Sequence, residues 1–195
     1  MLRSWKGHRE ASSGKMARLA ALGRFLFRHR DVLPVPLAVA VALSSRIRGG
    51  RLVSGALLVL TGLAIRLWAV LYIGEQSRSR GDGPAFRTIG GPYAYFRHPL
   101  YLANGVLSEG LVLFSGAGKR WLPFVFPVLA FLFYVPIVAW EQGRVYRRGI
   151  PVMAHRFGVR TALCSERRTY QSVLAFLLVS VVSSFVRNNF RRNRQ

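Results

Sequence analysis

Apolar runs alternate with short basic segments along the whole chain, and that alternation predicts helices crossing a membrane. Val32 to Ser45 carries no charge, but its 14 residues reach only about 21 Å as a helix. The hydrocarbon core is about 30 Å thick. This run is therefore expected to be a short or tilted first span, or half of a re-entrant hairpin. Leu52 to Gly74 reads as a second span, interrupted once by Arg66. Glu75 to His98 is polar and rich in Gly, Arg and Ser, so it cannot face lipid. Pro99 to Gly118 reads as a third span, interrupted by Glu109. Trp121 to Trp140 has no charge and an aromatic residue at each end, the strongest signal in the chain. Met153 to Thr169 reads as a basic loop or surface helix, and Tyr170 to Val186 as a fifth span. The expected fold is an all-α, polytopic helical bundle of about five transmembrane helices, without internal repeats.

Around that core, residues 1–31 form a basic N-terminal segment and 187–195 a basic C-terminal tail, leaving 32–186 as the membrane domain. Within the first segment Met16, Leu19, Ala20, Leu26 and Phe27 recur at helical spacing, with Arg18, Arg24 and Arg28 elsewhere around the turn. That pattern fits a helix lying on the bilayer surface, or equally a lead-in to the first span. The first thirty residues lack the early apolar run of a cleavable signal, so targeting is expected from the spans themselves.

Composition agrees with this picture. The chain is 51% hydrophobic yet has a formal net charge of +22. Such a pair seldom coexists in a soluble core, but it suits charges in loops and apolar residues in lipid. A pI near 11.8 raises nucleic acid as a partner. The arginines, however, are spread over every connection, with no basic stripe and no aromatic platform between them. Anionic headgroups are the expected counterpart. Cys164 is the single cysteine, so an intramolecular disulfide and a cysteine-built metal site are both excluded.

Charge also predicts orientation. With the N-terminus inside, the inner segments of a five-span chain hold 19 of the 29 Lys and Arg residues, and the outer segments hold 9. The positive-inside rule then favours a cytoplasmic N-terminus.

Candidate chemistry concentrates in GPYAYFRHPLY, residues 91–101. Gly and Pro close a loop, Pro99 suits the first turn of a helix, and Arg97, His98 and Tyr101 cluster at the mouth of the third span. Each alone is an ordinary interfacial residue; together behind a GPY turn they are distinctive. This motif resembles the signature of the isoprenylcysteine carboxyl methyltransferase family, which belongs with the phospholipid N-methyltransferases. Arg66-Leu67-Trp68-Ala69 and Ile73-Gly74 are similar to that family's preceding span, and the likeness extends over about residues 55–145. The resemblance implies a membrane methyltransferase that binds S-adenosylmethionine at the cytoplasmic face. It implies cofactor-binding roles for Tyr93, Arg97, His98, Tyr101 and Glu141. A guanidinium suits the cofactor's carboxylate and a carboxylate its ammonium. The implied acceptor is a lipid-like or prenylated amphiphile, methylated on a carboxylate or an amine. No metal is implied.

The chain departs from that pattern in two places. Gln142 follows Glu141 where the family has a second acidic residue. Phe157-Gly158 comes 16 residues after Glu141 and lacks the two tyrosines that usually follow. The cofactor half is thus better matched than the acceptor half. A non-catalytic membrane protein on the same scaffold is the alternative, and a basic membrane-surface adaptor or transporter fragment a more distant one.

Two ionisable residues fall inside spans, where they mark function or pairing. Arg66 is about 12 Å from the end at Gly74 and Glu109 about 16 Å from His98, at 1.5 Å per residue. Their depths allow them to meet as a buried ion pair between consecutive spans, the expected arrangement, with a polar wall of the active-site cavity as the alternative.

Overall fold

A computed structural model describes residues 18–47, 49–78, 86–118, 121–148 and 151–193, with side chains at 143–148 left aside. Met16 of the expected amphipathic helix lies outside these residues. The described elements are α1 (18–29), α2 (Val35–Leu43), α3 (Gly49–Ile73), β1 (Arg87–Thr88), α4 (Pro99–Ser115), α5 (Leu122–Arg148), β2 (Val152–Met153) and α6 (Val159–Arg192). Short 3-10 turns cover Gly74–Arg78 and Gly91–Ala94.

Among the described residues, three helical stretches are long and apolar enough to cross a membrane: Gly49–Arg78, Leu122–Gln142 and Val159–Arg192. The expectation of five is not met by that measure. Val32 to Ser45 folds as the nine-residue α2, only about 14 Å long, because Pro34 and Pro36 restrict its start to a first turn. The 17 residues of α4 give about 26 Å, just short of a full crossing. The last span begins eleven residues earlier than hydropathy predicts. Its first turns carry Arg160, Glu166, Arg167 and Arg168, which an apolar pattern cannot register.

Helices α3 and α4 pack at backbone distance through glycine. A Cβ on Gly55 would lie 2.3 Å from the Phe114 nitrogen, one on Gly62 2.7 Å from the Leu107 nitrogen, and one on Gly110 2.6 Å from the Val59 nitrogen. Gly55, Val59, Gly62, Arg66 and Ala69 recur every three or four residues and are buried, so one stripe of α3 faces α4. Where hydrocarbon surrounds a bundle, close backbone approach replaces the hydrophobic effect as the source of association. Gly116 then ends α4 at φ +58°, its nitrogen bonded to the Leu113 carbonyl, a left-handed cap that favours glycine.

A second core joins α2 to α4 and α6, with Val41, Ala42, Val112, Ala117 and Phe176 buried together. The α2–α3 link at this side is tied down by Arg46 N–H to the Ser115 carbonyl at 2.8 Å and Ile47 N–H to Ser184 Oγ at 3.1 Å. At the opposite end β1 and β2 pair in parallel, with Arg87 N–H donating to Pro151 and Ile89 N–H to Met153. This two-residue ladder is the only strand pairing among the described residues. It places the α3–α4 and α5–α6 connections at one end of the bundle. Helix α1 lies against α5 there: Phe27 is buried with Ile137 and Trp140, and Gly23 abuts the Pro136 carbonyl. Much of the outer surface is apolar, including Leu57, Leu60, Phe124, Phe131, Leu174 and Leu178. A surface of that kind belongs in lipid.

Candidate active site

A cavity of about 540 Å³ opens at the end of the bundle that carries the β ladder. His98 caps α4 with Pro99 in the first helical position, so the motif's ring enters the cavity wall just as the helix begins. One turn on, Tyr101 stacks on His98 with centroids 5.6 Å apart, and Tyr134 of α5 stacks on Tyr101 at 4.7 Å. Glu141 approaches from α5, its Oε2 3.7 Å from His98 Nδ1, and it accepts a hydrogen bond from the Tyr101 hydroxyl. That His–Glu separation exceeds a direct hydrogen bond. Gln142 holds its amide nitrogen 3.5 Å from His98 Nε2. Burial keeps His98 below the usual histidine pKa, and the neighbouring Arg97 charge adds to this. Both effects favour the neutral ring over the charged one.

Tyr93 lines the same cavity from the turn over Gly91–Ala94. Its hydroxyl is buried and has no hydrogen-bond partner among the described residues, and burial raises its pKa further above the ordinary range. An orphaned buried hydroxyl is costly unless a ligand meets it. Of the five residues the family resemblance singles out, Tyr93, His98, Tyr101 and Glu141 thus share one cavity wall. Arg97 is exposed and outside the lining.

Deeper in the cavity Arg66 sits 8% exposed, but its partner is not Glu109. Arg66 donates Nε to Glu166 Oε2, Nη2 to Glu166 Oε1 at 3.1 Å and Nη1 to Asn104 Oδ1. Arg78 Nη2 lies 3.6 Å from the same Glu166, and Asn104 Nδ2 donates to the Tyr134 hydroxyl at 3.0 Å. Glu109 leaves Oε2 buried, with no hydrogen-bond partner among the described residues. The expected pair fails on azimuth, not depth: α4 turns Leu107 and Gly110 toward α3, and Glu109, one step before Gly110, points elsewhere. Asn104, Tyr134 and Glu166 escape a reading based on motifs, since none belongs to one. A weak signal was present in Glu166, an isolated acid in a strongly basic stretch.

The lining changes character along its length. Arg30, Asp31, Arg78, Arg168 and Thr169 surround the polar end with the residues above, while Leu107, Leu111, Val173 and Phe176 line the other. Arg30 is set by its hydrogen bond to the Ser77 carbonyl at 3.3 Å and by its place over the Phe27 ring at 4.0 Å. Such a cavity suits a molecule with a charged head and an apolar tail.

The sequence pattern of the phospholipid methyltransferase family matches residues 50–145. This stretch belongs to that family. The phospholipid methyltransferase family is related to the isoprenylcysteine carboxyl methyltransferases, so the motif resemblance and the family match agree. The family segment supplies Arg66, Tyr93, His98, Tyr101, Asn104, Tyr134 and Glu141. Arg30 and Glu166 come from helices outside it. No curated protein and no solved structure matches the chain.

Proposed function

We propose that the protein is a membrane-embedded, S-adenosylmethionine-dependent methyltransferase acting on an amphiphile with a lipid-like or prenyl tail. Family membership supports a membrane methyltransferase. The observation that carries the finer reading is the convergence of Glu141 and His98, from separate helices, on one cavity beside the orphaned Tyr93 hydroxyl. The residues present fit the cofactor. The cavity volume lies in the range of cofactor sites, Glu141 offers a carboxylate for an ammonium, and Tyr93 offers an unused hydroxyl. Arg97 at the rim, or Arg30 in the lining, offers a guanidinium for a carboxylate.

S-adenosylmethionine supplies an electrophilic methyl group on a sulfonium. The chain's own residues bind, orient and exclude water, which is most of what such a transfer needs. His98, neutral and stacked on Tyr101, forms a flat wall rather than a second cation facing a sulfonium. The apolar end, bounded by Leu107, Leu111 and Phe176, would take the acceptor's tail and bring its head to the polar end. Incubating the purified protein in lipid nanodiscs with methyl-labelled S-adenosylmethionine and a membrane lipid extract should transfer label to an organic-soluble product. Absence of labelled product with every extract fraction would contradict the reading.

The 19-to-9 distribution of basic residues supports a cytoplasmic N-terminus and active-site end in a five-crossing topology, with the whole Val32 to Ser45 run and α4 as the two short crossings. Phe86→Cys and Arg160→Cys, each in a Cys164→Ser background, should label from the same face of sealed vesicles. Labelling from opposite faces would contradict this topology. A non-catalytic scaffold is the second reading. It is favoured by Gln142, which cannot supply the second acidic charge beside Glu141. Cofactor binding without turnover would select it.

A further inference from the structure

The buried chain of hydrogen bonds behind the cavity has a fixed direction, and that direction reaches the acceptor site. An arginine only donates. Arg66 spends Nε and Nη2 on Glu166 and turns Nη1 to Asn104, so the Asn104 amide must present its oxygen there. Its NH2 group is then forced toward Tyr134, 3.0 Å away. The Tyr134 oxygen accepts that bond, and the phenolic proton has to be donated elsewhere. Tyr134 forms part of the cavity wall, stacked on Tyr101 beside the His98–Glu141 pair.

We propose that Glu166, Arg66 and Asn104 fix Tyr134 as a hydrogen-bond donor to an oxygen anion, a carboxylate or phosphate, on the acceptor's head. This deepens the methyltransferase reading and rests on it. Glu166 and Asn104 are positioning residues; Tyr134 is the group that touches the acceptor. The polarity suits an oxyanion and opposes an ammonium, which has only protons to offer. Because Glu166 comes from α6, beyond residues 50–145, this selection is set from outside the family segment.

The test uses the full chain in neutral detergent and three amphiphiles with one farnesyl tail, ending in a thioacetate carboxylate, a phosphate monoester or an ammonium. Calorimetry should show the wild type binding at least one oxyanion about ten-fold more tightly than the amine, the scale of a hydrogen bond to a charged group. Whichever oxyanion binds more tightly identifies the source of the anion. Tyr134→Phe should abolish that preference. Asn104→Asp keeps an oxygen for Arg66 but turns a second oxygen to Tyr134, which draws the phenolic proton away from the cavity. It should reverse the preference toward the amine. Helicity and elution volume confirm folding, and should Asn104→Asp not fold, Tyr134→Phe decides alone. An unchanged preference in Tyr134→Phe, equal loss of all three ligands in folded Asn104→Asp, or an amine-preferring wild type would overturn the proposal. Binding of S-adenosylmethionine, measured separately, keeps failure of the methyltransferase reading distinct from failure of this one.

Discussion

Glu166 on the last helix holds Arg66 of α3 through both carboxylate oxygens, although 100 residues separate them. Glu166 is fully buried and lies within 3.6 Å of Arg78 as well. One carboxylate thus neutralises one arginine outright and borders a second, and it joins the C-terminal helix to the family segment.

Removing Glu166 alone should be costly. Glu166→Gln leaves Arg66 buried without its counter-charge, a loss of about 3–5 kcal/mol. Arg66→Met together with Glu166→Gln should be less harmful than Glu166→Gln by itself. A double-mutant cycle on thermal stability in detergent checks this, with strict additivity as the contrary result.

Glycine spacing offers a sharper contrast. Gly55→Val and Gly110→Val should prevent α3 and α4 from docking, since the added Cβ meets backbone within 3.0 Å in both cases. Gly105→Ala on the same α4 meets nothing within 4 Å and should leave folding intact. Yield of monodisperse protein distinguishes these variants. Equal yields for Gly55→Val and Gly105→Ala would mean that the helices do not touch where described.

Much of this architecture was legible in the sequence, and what was missed shares one cause. Hydropathy located the long apolar helices, and the GPY and RHP tripeptides of the motif marked Tyr93, His98 and Tyr101, which line the cavity with Glu141. Distance along a helix gives depth, which is why Arg66 and Glu109 looked like partners. It does not give rotation about the axis, and rotation is set here by Gly55, Gly62 and Gly110. The first turns of α6 are charged for the same reason that they went unnoticed. Arg160 and Arg167 face outward there, and Glu166 faces in, so no apolar stripe reveals the helix. Asn104 and Tyr134 have roles only because Arg66 is already directed by Glu166.

Acid should weaken the site through His98. Burial lowers its folded pKa below the unfolded value of about 6.5, so the folded state takes up the proton less readily than the unfolded chain. The neutral ring's contribution is complete above about pH 6.5 and is lost as pH falls toward the folded pKa. Stability in detergent should therefore decline from pH 7 to pH 5 in the wild type, and less steeply in His98→Asn. Arg97→Gln should move the His98 titration upward by removing a like charge. Identical slopes for wild type and His98→Asn would show that another group governs the acid response.

His98 and Glu141, 3.7 Å apart on one cavity wall, are proposed to hold S-adenosylmethionine together. Calorimetric titration of the purified full chain in detergent tests it most directly, with wild type, His98→Ala and Glu141→Ala compared after their folding has been checked by helicity. Saturable binding to the wild type and at least a ten-fold loss in each variant are expected, consistent with removing a hydrogen bond or charge partner from a charged ligand. A folded wild type that does not bind S-adenosylmethionine, or variants that bind it as tightly as the wild type, would contradict the account.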